Sequence, residues 1–508
     1  MENTIRINAK KPNGLVTAID NFFHISERKS TIRSEIGAGM AGFLVACCCF
    51  IMNAGIIGKA YGNYAGSYLA VSLLAFLGTL VLGFLTNRPL IQCSNLALSS
   101  ALVSMISAYS GLTYSNMMMI TFLGAIINLV LVLTPLGKKA MDLLPSSVKK
   151  AMPIAVGLLV MIESLQYAGL FDGSHFAQVG EFSLQGMYVI LAFVSILAFV
   201  VLKVLNARKV PFRVFGCMIG LMWAFGILFF MDEFIGGQTA TTLVYQRLNL
   251  FFNTDGASPY NIVLGFKSVD WGCCFTKGFD FSGLIAQGGS PALAIFKGIF
   301  VFLGLSVATN VSQTKAVAAS GRFLDADLSF AEEKKVYAVT AVTNVIAPIF
   351  GAPIQTVSHS STLLTDDEAK TGLSSLVASL GFFVTMFTWI IFAFVATETH
   401  GVGMWIESSE VKLAAYVQDI FAISCLIVAL SSASMFRGIK DIQLKDASEV
   451  IPFLLTIIGA VVLRDIAFGI ALSIISDFIF KLIKKEDNKT GSLIFSVLSL
   501  CYLVFSII

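Results

Sequence analysis

Long runs of uncharged, mostly apolar residues recur along nearly the whole chain and are separated by short polar connections. An α-helix needs about 20 such residues to cross the hydrocarbon core of a bilayer, so each run predicts a transmembrane helix. The pattern therefore predicts an all-α polytopic membrane protein with about 14 transmembrane helices. The clearest early runs are Ile36–Gly58, Leu69–Thr86, Asn116–Gly137, Leu184–Leu202 and Gly216–Met231.

The C-terminal end leaves the helix count open. Ile451–Leu463 and Ile466–Leu482 are either two short spans with a turn at Arg464–Asp465 or one broken helix. Ser492–Ile508 is a further apolar stretch. The prediction is therefore about 14 core helices, with one more or one fewer at this end.

Two apolar segments, Asn87–Tyr109 and Gly351–Thr365, are short and interrupted by polar residues, and they would be spans 3 and 10. Non-helical backbone at membrane depth is tolerated only inside protein or beside a water-filled cavity. A pair of such segments at matching places in two halves indicates the binding site of a transporter. The alternative is a pair of re-entrant loops with a structural role only. The interrupting residues are Pro89, Gln92, Ser94, Asn95, Ser99 and Ser100 in the first segment, and Pro353, Gln355, Ser358, His359, Ser360 and Ser361 in the second.

Lysine and arginine are concentrated in alternate connections, which predicts the orientation by the positive-inside rule. About 35 polar residues of both charge signs precede the first span, unlike a signal peptide, and we place them in the cytoplasm. The predicted location is a bacterial-type inner (plasma) membrane, crossed many times. The basic residues placed inside are Arg6, Lys10, Lys11, Arg28, Lys29 and Arg33, then Lys138, Lys139, Lys149 and Lys150, then Lys203, Arg208, Lys209 and Arg213, and finally Arg437, Lys440, Lys445, Lys481, Lys484 and Lys485.

The composition agrees with lipid as the solvent, since 56% of the residues are hydrophobic and 13% are charged, against about a quarter charged in soluble domains. A net charge of +3 without a basic block argues against a nucleic-acid partner. The nine cysteines form no CxxC pair, so no metal site is predicted. The chain has no Walker loop, zinc signature or nucleophile elbow, so we predict neither an enzyme nor a cofactor.

Four stretches together resemble the adenine/guanine/hypoxanthine permease branch of the xanthine/uracil permease (nucleobase–ascorbate transporter) superfamily, from about Phe22 to the C-terminus. The first span reads RSEIGAGMAGFLVACCCFIMNAGII and carries the branch's arginine–x–glutamate start, its glycine pair and an asparagine, Asn53. The fifth span reads AVGLLVMIESLQYAGLF and resembles the family's glycine-rich pattern. KTGLSSLVASLGFF and IKDIQLKDASEVIPFLLTII are similar to the opening of the eleventh helix and to the later amphipathic segment with its proline helix.

The resemblance implies a fold of seven plus seven helices in two inverted repeats. Spans 1–4 and 8–11 would form a core domain that carries substrate on half-helices 3 and 10, and spans 5–7 and 12–14 would form a gate domain. An elevator-like movement and coupling to protons or sodium are also implied. The expected division is a cytoplasmic segment at 1–35, the first repeat at 36–235, a long external loop at 236–290 and the second repeat at 291–508.

The chain departs from the family pattern at the substrate site. Ala308 stands where the eighth helix usually has an acidic residue, and Ser360 stands where the tenth half-helix usually has a glutamate. Ser94, Ala97 and Ser99 replace the usual proline, glycine and asparagine of the third segment. Both family carboxylates are therefore missing.

Without those carboxylates, two half-helix N-termini with free N–H donors leave an electropositive pocket. Such a pocket favours an anionic or strongly accepting substrate. Lys315 adds to this trend if it faces the cavity, or else it reaches for the cytoplasmic surface. The predicted substrate-binding residues are Ser94, Asn95, Ser99, Thr309, Asn310, Gln313, His359, Ser360 and Ser361.

Three titratable residues are candidates for coupling or gating: Glu163, His359 and Lys315. An acid inside a span is a functional hypothesis by default, because an unpaired charge there is costly. Glu163 interrupts the fifth span, and Asp419 lies on the pseudo-symmetric twelfth; a structural hydrogen bond in the gate domain is the alternative for both. His359 could carry a proton or donate to substrate, or it could be a neutral capping group.

The leading hypothesis is a secondary active transporter for a nucleobase or similar small planar solute. A small-anion transporter or exchanger on the same fold is the first alternative. A membrane sensor or scaffold that does not transport is the second. The expected partners are a small-molecule substrate, the lipid bilayer and a coupling H⁺ or Na⁺, with a homodimer left open.

Overall fold

The computed structural model describes residues 14–61, 64–135, 145–167, 269–325, 329–366, 369–394, 446–463, 466–484 and 489–507. Its first half contains α1 (Gly14–Phe23), α2 (Ile32–Tyr61), α3 (Tyr64–Thr86), β1 (Gln92–Ser94), α4 (Leu96–Ala108), α5 (Tyr114–Leu133) and α6 (Ser146–Tyr167). Its second half contains α7 (Cys273–Thr276), α8 (Ser282–Ala286), α9 (Pro291–Ser320), α10 (Glu333–Ile346), a 3₁₀ helix (Ala347–Phe350), β2 (Gln355–Val357), α11 (Ser361–Asp366), α12 (Gly372–Phe394), α13 (Ala447–Val462), α14 (Ile466–Lys484) and α15 (Lys489–Ile507).

The predicted spans 1 to 5 correspond to α2, α3, β1 with α4, α5 and α6. Spans 8 to 11 correspond to α9, α10, β2 with α11, and α12. Among the described residues, three helical stretches are long and apolar enough to cross a membrane: Gly66–Thr86, Tyr114–Leu133 and Pro291–Ser320. Shorter apolar helices lie at Gly372–Met386 and Ala447–Val462.

The described helices form two groups, which we call the core group and the gate group. In the first group, α12 packs against α2 and α3, and α5 packs against α9 and α10. In the second group, α13 packs against α6 and α14, and α14 packs against α15. The two groups meet mainly where α9 contacts α6, α14 and α15.

Glycines allow these helices to approach closely. A Cβ at Gly39 of α2 would lie 2.5 Å from the carbonyl oxygen of Ser374 in α12. Small residues at such crossings let the helix backbones come close together. The resulting van der Waals packing is a main source of attraction between helices in lipid.

The C-terminal apolar region forms separate helices. The polypeptide turns between α13 and α14, and a Cβ at Gly459 would lie 2.1 Å from the Cα of Gly469. Asp446 caps α13 by accepting from the N–H and the hydroxyl of Ser448, at 2.9 and 2.8 Å, and these bonds lower the pKa of its carboxyl group. Of the two sequence-based alternatives, two short spans and one broken helix, the structure has the first.

Charged side chains join the core helices at the end predicted to face the cytoplasm. Arg88 makes two hydrogen bonds to Glu332, at 3.0 and 3.2 Å. Glu35 accepts from the backbone N–H groups of Lys370 and Thr371, at 2.8 and 3.2 Å, at the start of α12. A carboxylate at this position satisfies N–H groups that no helical carbonyl reaches.

The segment before α9 covers the opposite end of the core. Asn116 of α5 donates to the carbonyl oxygens of Gly278 and Asp280, both at 2.9 Å. Tyr61 donates to Asp270, and Tyr114 donates to the carbonyl oxygen of Gly351 at 2.7 Å. The described part of the predicted external loop is therefore attached to the core helices.

Candidate functional site

The two interrupted segments meet in an antiparallel pair of strands inside the helical core. Gln92 lies opposite Val357, and Ser94 lies opposite Gln355. Every residue of both strands is buried. A short helix follows each strand, of 13 residues in α4 and six in α11, so the predicted half-helices 3 and 10 are confirmed.

Side chains from spans 1 and 2 close the outer edge of β1. The hydroxyl of Thr79 donates to the carbonyl oxygen of Gln92 at 2.9 Å and accepts from its N–H at 3.0 Å. The amide nitrogen of Asn53 donates to the carbonyl oxygen of Ser94 at 3.2 Å. An isolated strand edge in an apolar interior needs such partners, because no water is there to supply them.

Spans 8 and 9 close the outer edge of β2 in the same way. The N–H of Gln355 donates to the amide oxygen of Asn344 at 2.7 Å, and the N–H of Val357 donates to that of Asn310 at 3.2 Å. The hydroxyl of Thr356 donates to the side-chain oxygen of Gln313 at 2.7 Å. Each strand is thus held by the first two spans of its own half, as an inverted repeat requires.

The half-helices begin beside the strands and are tied to each other. Asn95 is the N-cap of α4, and its side chain accepts from the N–H of Leu98 at 3.4 Å. The hydroxyl of Ser361, at the start of α11, accepts from the N–H of Ile91 at 2.8 Å. The hydroxyl of Ser360 donates to that of Ser358 at 2.8 Å. Three of the predicted site residues therefore contribute to holding the two half-spans in place.

Several buried polar atoms around the strands have no hydrogen-bond partner among the described residues. A buried donor or acceptor without a partner costs about 1–3 kcal/mol, so a cluster of them indicates a place where water or a ligand binds. They are the hydroxyls of Ser94, Ser99 and Thr309, the side-chain nitrogens of Gln313 and Asn344, the side-chain oxygen of Gln355 and both side-chain polar atoms of Gln92.

The ammonium group of Lys315 pairs with the carboxylate of Glu333 at 2.5 Å, and both side chains are 15% exposed. Tyr337 donates to the same carboxylate at 2.9 Å. The lysine therefore does not add an uncompensated positive charge beside the strands. This ion pair speaks against the expectation that Lys315 makes the pocket electropositive. Nothing in the sequence alone indicated Glu333 as its partner.

The structure brings most of the predicted site residues to one place. Ser94, Asn310 and Gln313 lie directly on or against the strands, and Thr309 and Ser99 lie next to residues that do. His359 is buried in the turn that leads into α11, 5% exposed. Glu163 lies on α6 but its side chain is outside the described part, and Asp419 lies outside the described residues altogether.

Thr79, Asn344 and Thr356 are not among the site residues predicted from the sequence, and Asn53 entered only as part of the family pattern. Asn53 and Thr79 are isolated polar residues in apolar spans, whereas Asn344 and Thr356 follow the polar residues Thr343 and Gln355. Such residues in spans usually face protein and hydrogen-bond across helices, which is the signal that could have found them.

A small crevice lies between α5, α9 and α10, and Ile354 and Asn344 border it next to β2. Its lining is mostly apolar, with Asn344, Asn128 and Ser306 among its polar residues.

The helical fold, with half-spans 3 and 10 paired through β1 and β2, is that of transporters built from seven plus seven helices in inverted repeats. The solved structure of the murine solute carrier 26 family member A9 anion transporter in the inward-facing state matches with a TM-score of 0.51 and 12% identity, covering 95% of this chain and 74% of that one. At that identity the likeness concerns the fold alone, and it confirms the predicted fold class.

Sequence relatives are more specific about the family. The guanine/hypoxanthine permease PbuO of Bacillus subtilis is 23% identical over 461 residues, covering 89% of this chain and 92% of that protein. The adenine permease AdeP of Escherichia coli is 21% identical over 467 residues, covering 91% of this chain and 90% of that protein. No protein-family model matches the chain. The chain is a distant relative of the nucleobase permeases, and the predicted resemblance is confirmed.

Proposed function

We propose that this protein is a secondary active transporter that carries a nucleobase, or a similar small planar solute, across a bacterial-type inner membrane. The observation that supports it best is the pair of buried strands between half-spans 3 and 10, bordered by hydroxyl and amide groups without partners. A planar solute with several hydrogen-bonding edges would satisfy those groups. The relatives, which are purine permeases by name, support the same solute class.

The proposed site comprises Ser94, Asn95, Ser99, Thr309, Asn310, Gln313, His359, Ser360 and Ser361. Within it, Thr309, Ser94, Ser99 and Gln313 are the groups with unused hydrogen-bonding capacity. Ser361, Ser360 and Asn95 hold the geometry. Coupling to H⁺ or Na⁺, with Glu163, His359 and Lys315 as candidate coupling or gating residues, remains part of the proposal.

The proposed movement is an elevator, in which the core group carries the strands past the gate group. The proposed orientation has the N-terminal segment 1–35 in the cytoplasm, with repeats at 36–235 and 291–508 on either side of an external loop at 236–290. The concentration of lysine and arginine in the connections placed inside supports this orientation. The pairing of Lys315 with Glu333 is the reason we favour a neutral solute over the small-anion alternative.

Uptake into proteoliposomes tests the proposal. The purified full chain is reconstituted, and labelled purines, pyrimidines and inorganic and organic anions are offered with and without a pH or sodium gradient. We expect saturable, gradient-driven uptake of at least one nucleobase. Uptake of anions alone would support the exchanger alternative, and no uptake of any solute would support a sensor or scaffold.

A further inference from the structure

The orientation of the Asn310 side-chain amide on α9 is fixed by its hydrogen bond to the backbone of β2. The backbone N–H of Val357 can only donate, so the atom of Asn310 that meets it at 3.2 Å must be the carbonyl oxygen. The amide nitrogen therefore points away from β2. Asn310 is 6% exposed, and that nitrogen makes no hydrogen bond to a described residue.

A second amide has the same arrangement one turn further along α9. The side-chain oxygen of Gln313 accepts from the hydroxyl of Thr356 at 2.7 Å, and its nitrogen has no partner among the described residues. Residues three apart on a helix have Cβ atoms about 5–6 Å from each other. The two amides therefore lie on one face of α9, and each has its oxygen bonded to β2 and its nitrogen free to donate elsewhere.

The described elements around these donors carry no carboxylate that could bind them. The sequence has no Asp or Glu in β1 and α4, none in α9 and none from Gly351 to Thr365. Glu333 is engaged by Lys315 and Tyr337. The unpartnered side-chain oxygens of Gln92 and Gln355 belong to the strands, so the side of the site formed by Asn310 and Gln313 presents N–H donors.

We propose that Asn310 sets the hydrogen-bond polarity of the site, and that Asn310 and Gln313 together select substrates that present a carbonyl or another accepting edge over those that present an exocyclic amino group. This inference rests on the proposed function and adds to it the chemical face by which the solute is recognised. An amino group set against an amide N–H₂ leaves donors unpaired on both sides. Sites built to hydrogen-bond one group reject analogues that lack it.

Hypoxanthine and adenine provide a pair of probes with the same purine skeleton. Hypoxanthine carries an accepting oxygen at position 6 beside a protonated N1, and adenine carries a donating amino group there beside an unprotonated N1. Uptake of each labelled base is measured with the full chain in proteoliposomes. For the wild type we expect hypoxanthine to be preferred at least about tenfold, which corresponds to about 1.4 kcal/mol.

Asn310→Asp keeps an oxygen for the N–H of Val357 and replaces the free N–H₂ group with a second oxygen. We expect the hypoxanthine-to-adenine ratio to fall at least about tenfold. Gln313→Glu makes the equivalent change at the second donor and should lower the ratio in the same direction. It also serves as the test variant if Asn310→Asp does not fold.

Asn128→Asp is the control. Asn128 is a buried amide on a different helix, α5, and lines a small crevice with Thr121 and Ser306. The same change from amide to carboxyl there should leave the hypoxanthine-to-adenine ratio unchanged.

The outcomes are distinct. A wild type that prefers adenine, or a ratio that Asn310→Asp and Gln313→Glu both leave unchanged, would overturn the inference while nucleobase transport stands. An equal fall in Asn128→Asp would also overturn it, because the cause would then be a buried charge and not the hydrogen-bond polarity of the site. Absence of uptake of every base overturns the proposed function, and the inference with it.

Discussion

Four single polar side chains allow two short strands to exist inside an apolar helical core. Asn53 and Thr79 complete the edge of β1, and Asn310 and Asn344 complete the edge of β2. Each replaces a hydrogen bond that water would make in a soluble protein. Removing one of these side chains leaves a backbone group buried without a hydrogen-bond partner. The protein then loses the desolvation free energy of that group, which is larger than the net contribution of a typical hydrogen bond.

Thr79→Val tests this directly, since valine has the same shape without the hydroxyl. Both the N–H and the carbonyl of Gln92 would lose their partner, so we expect a loss of about 1–3 kcal/mol of stability. The measurement is thermal unfolding of the purified protein in detergent. Thr340→Val is the control, because the buried hydroxyl of Thr340 bonds only to Val336 of its own helix, at 2.8 Å. Equal losses in both variants would contradict the role of Thr79.

Glu163→Gln tests the coupling role proposed for Glu163. Glutamine keeps the size and hydrogen bonding of the side chain but cannot titrate. If Glu163 carries a proton through the transport cycle, the variant should bind and exchange substrate while losing pH-dependent net uptake. Unchanged pH-dependent uptake would show that Glu163 has a structural role in the gate group instead.

At the scale of the element, close helix contacts depend on glycine at particular crossings. Gly39 on α2 faces the carbonyl of Ser374 on α12, with room for a hydrogen and none for a methyl group. Gly124 on α5 has its nearest neighbour, the carbonyl oxygen of Ile299, 3.8 Å from where a Cβ would lie. Both glycines are inside helices, so they differ in packing rather than in backbone conformation.

Gly39→Ala and Gly124→Ala therefore form a matched pair. Overpacking at Gly39 should cost about 1–3 kcal/mol, because α2 and α12 must separate. Alanine at Gly124 should be neutral or slightly stabilising, since alanine is the better helix former by about 1 kcal/mol. Melting temperatures in detergent and yields from the membrane fraction check both. Similar melting temperatures for the two variants would contradict the packing argument.

The sequence predicted the elements that depend on local pattern. Uncharged runs indicated the spans, and the polar interruptions at Asn87–Tyr109 and Gly351–Thr365 indicated the two half-helices. The pairing of β1 with β2 could not be read from the sequence, because three-residue strands carry little periodicity. The partner of Lys315 was also out of reach, since Glu333 follows α9 only after a turn whose path is set by tertiary packing.

At the scale of the whole molecule, the contact between core and gate groups is mostly apolar and rests on α9. Gly304 faces Tyr502 of α15 and Ala467 of α14, and Phe300 lies 5.8 Å from the ring of Tyr502. These described contacts of α9 with α14 and α15 are aromatic and aliphatic. A contact of this kind is suited to sliding, which is what an elevator requires.

A disulfide between Gly304→Cys and Ala467→Cys tests that movement. A Cβ at Gly304 would lie 3.8 Å from the Cβ of Ala467, which is the usual separation in a disulfide. The pair is made in a Cys501→Ser background, because Cys501 is an exposed thiol on α15. Oxidation should lower uptake at least about tenfold, because the disulfide would fix the core group to the gate group. Reduction should restore uptake.

The control cross-link lies within the core group. Ser115→Cys would bring a thiol to Cys273, whose sulfur now lies 3.4 Å from the hydroxyl of Ser115. Because α5 and α7 should move together, oxidation there should leave uptake unchanged. Uptake that persists after complete cross-linking of Gly304→Cys to Ala467→Cys would contradict the elevator.

The strand pair also has a consequence for how the protein is made. Ile91 and Ser361, which bond across the half-spans, are 270 residues apart in the chain. At about 5–20 residues per second, the first half waits roughly 15 to 50 s in the membrane before its partner strand is synthesised. During that interval β1 has an open edge that lipid cannot satisfy. Cys93 on β1, buried in the finished protein, should therefore react with a thiol reagent in nascent chains that end before β2 and become protected once β2 has been inserted.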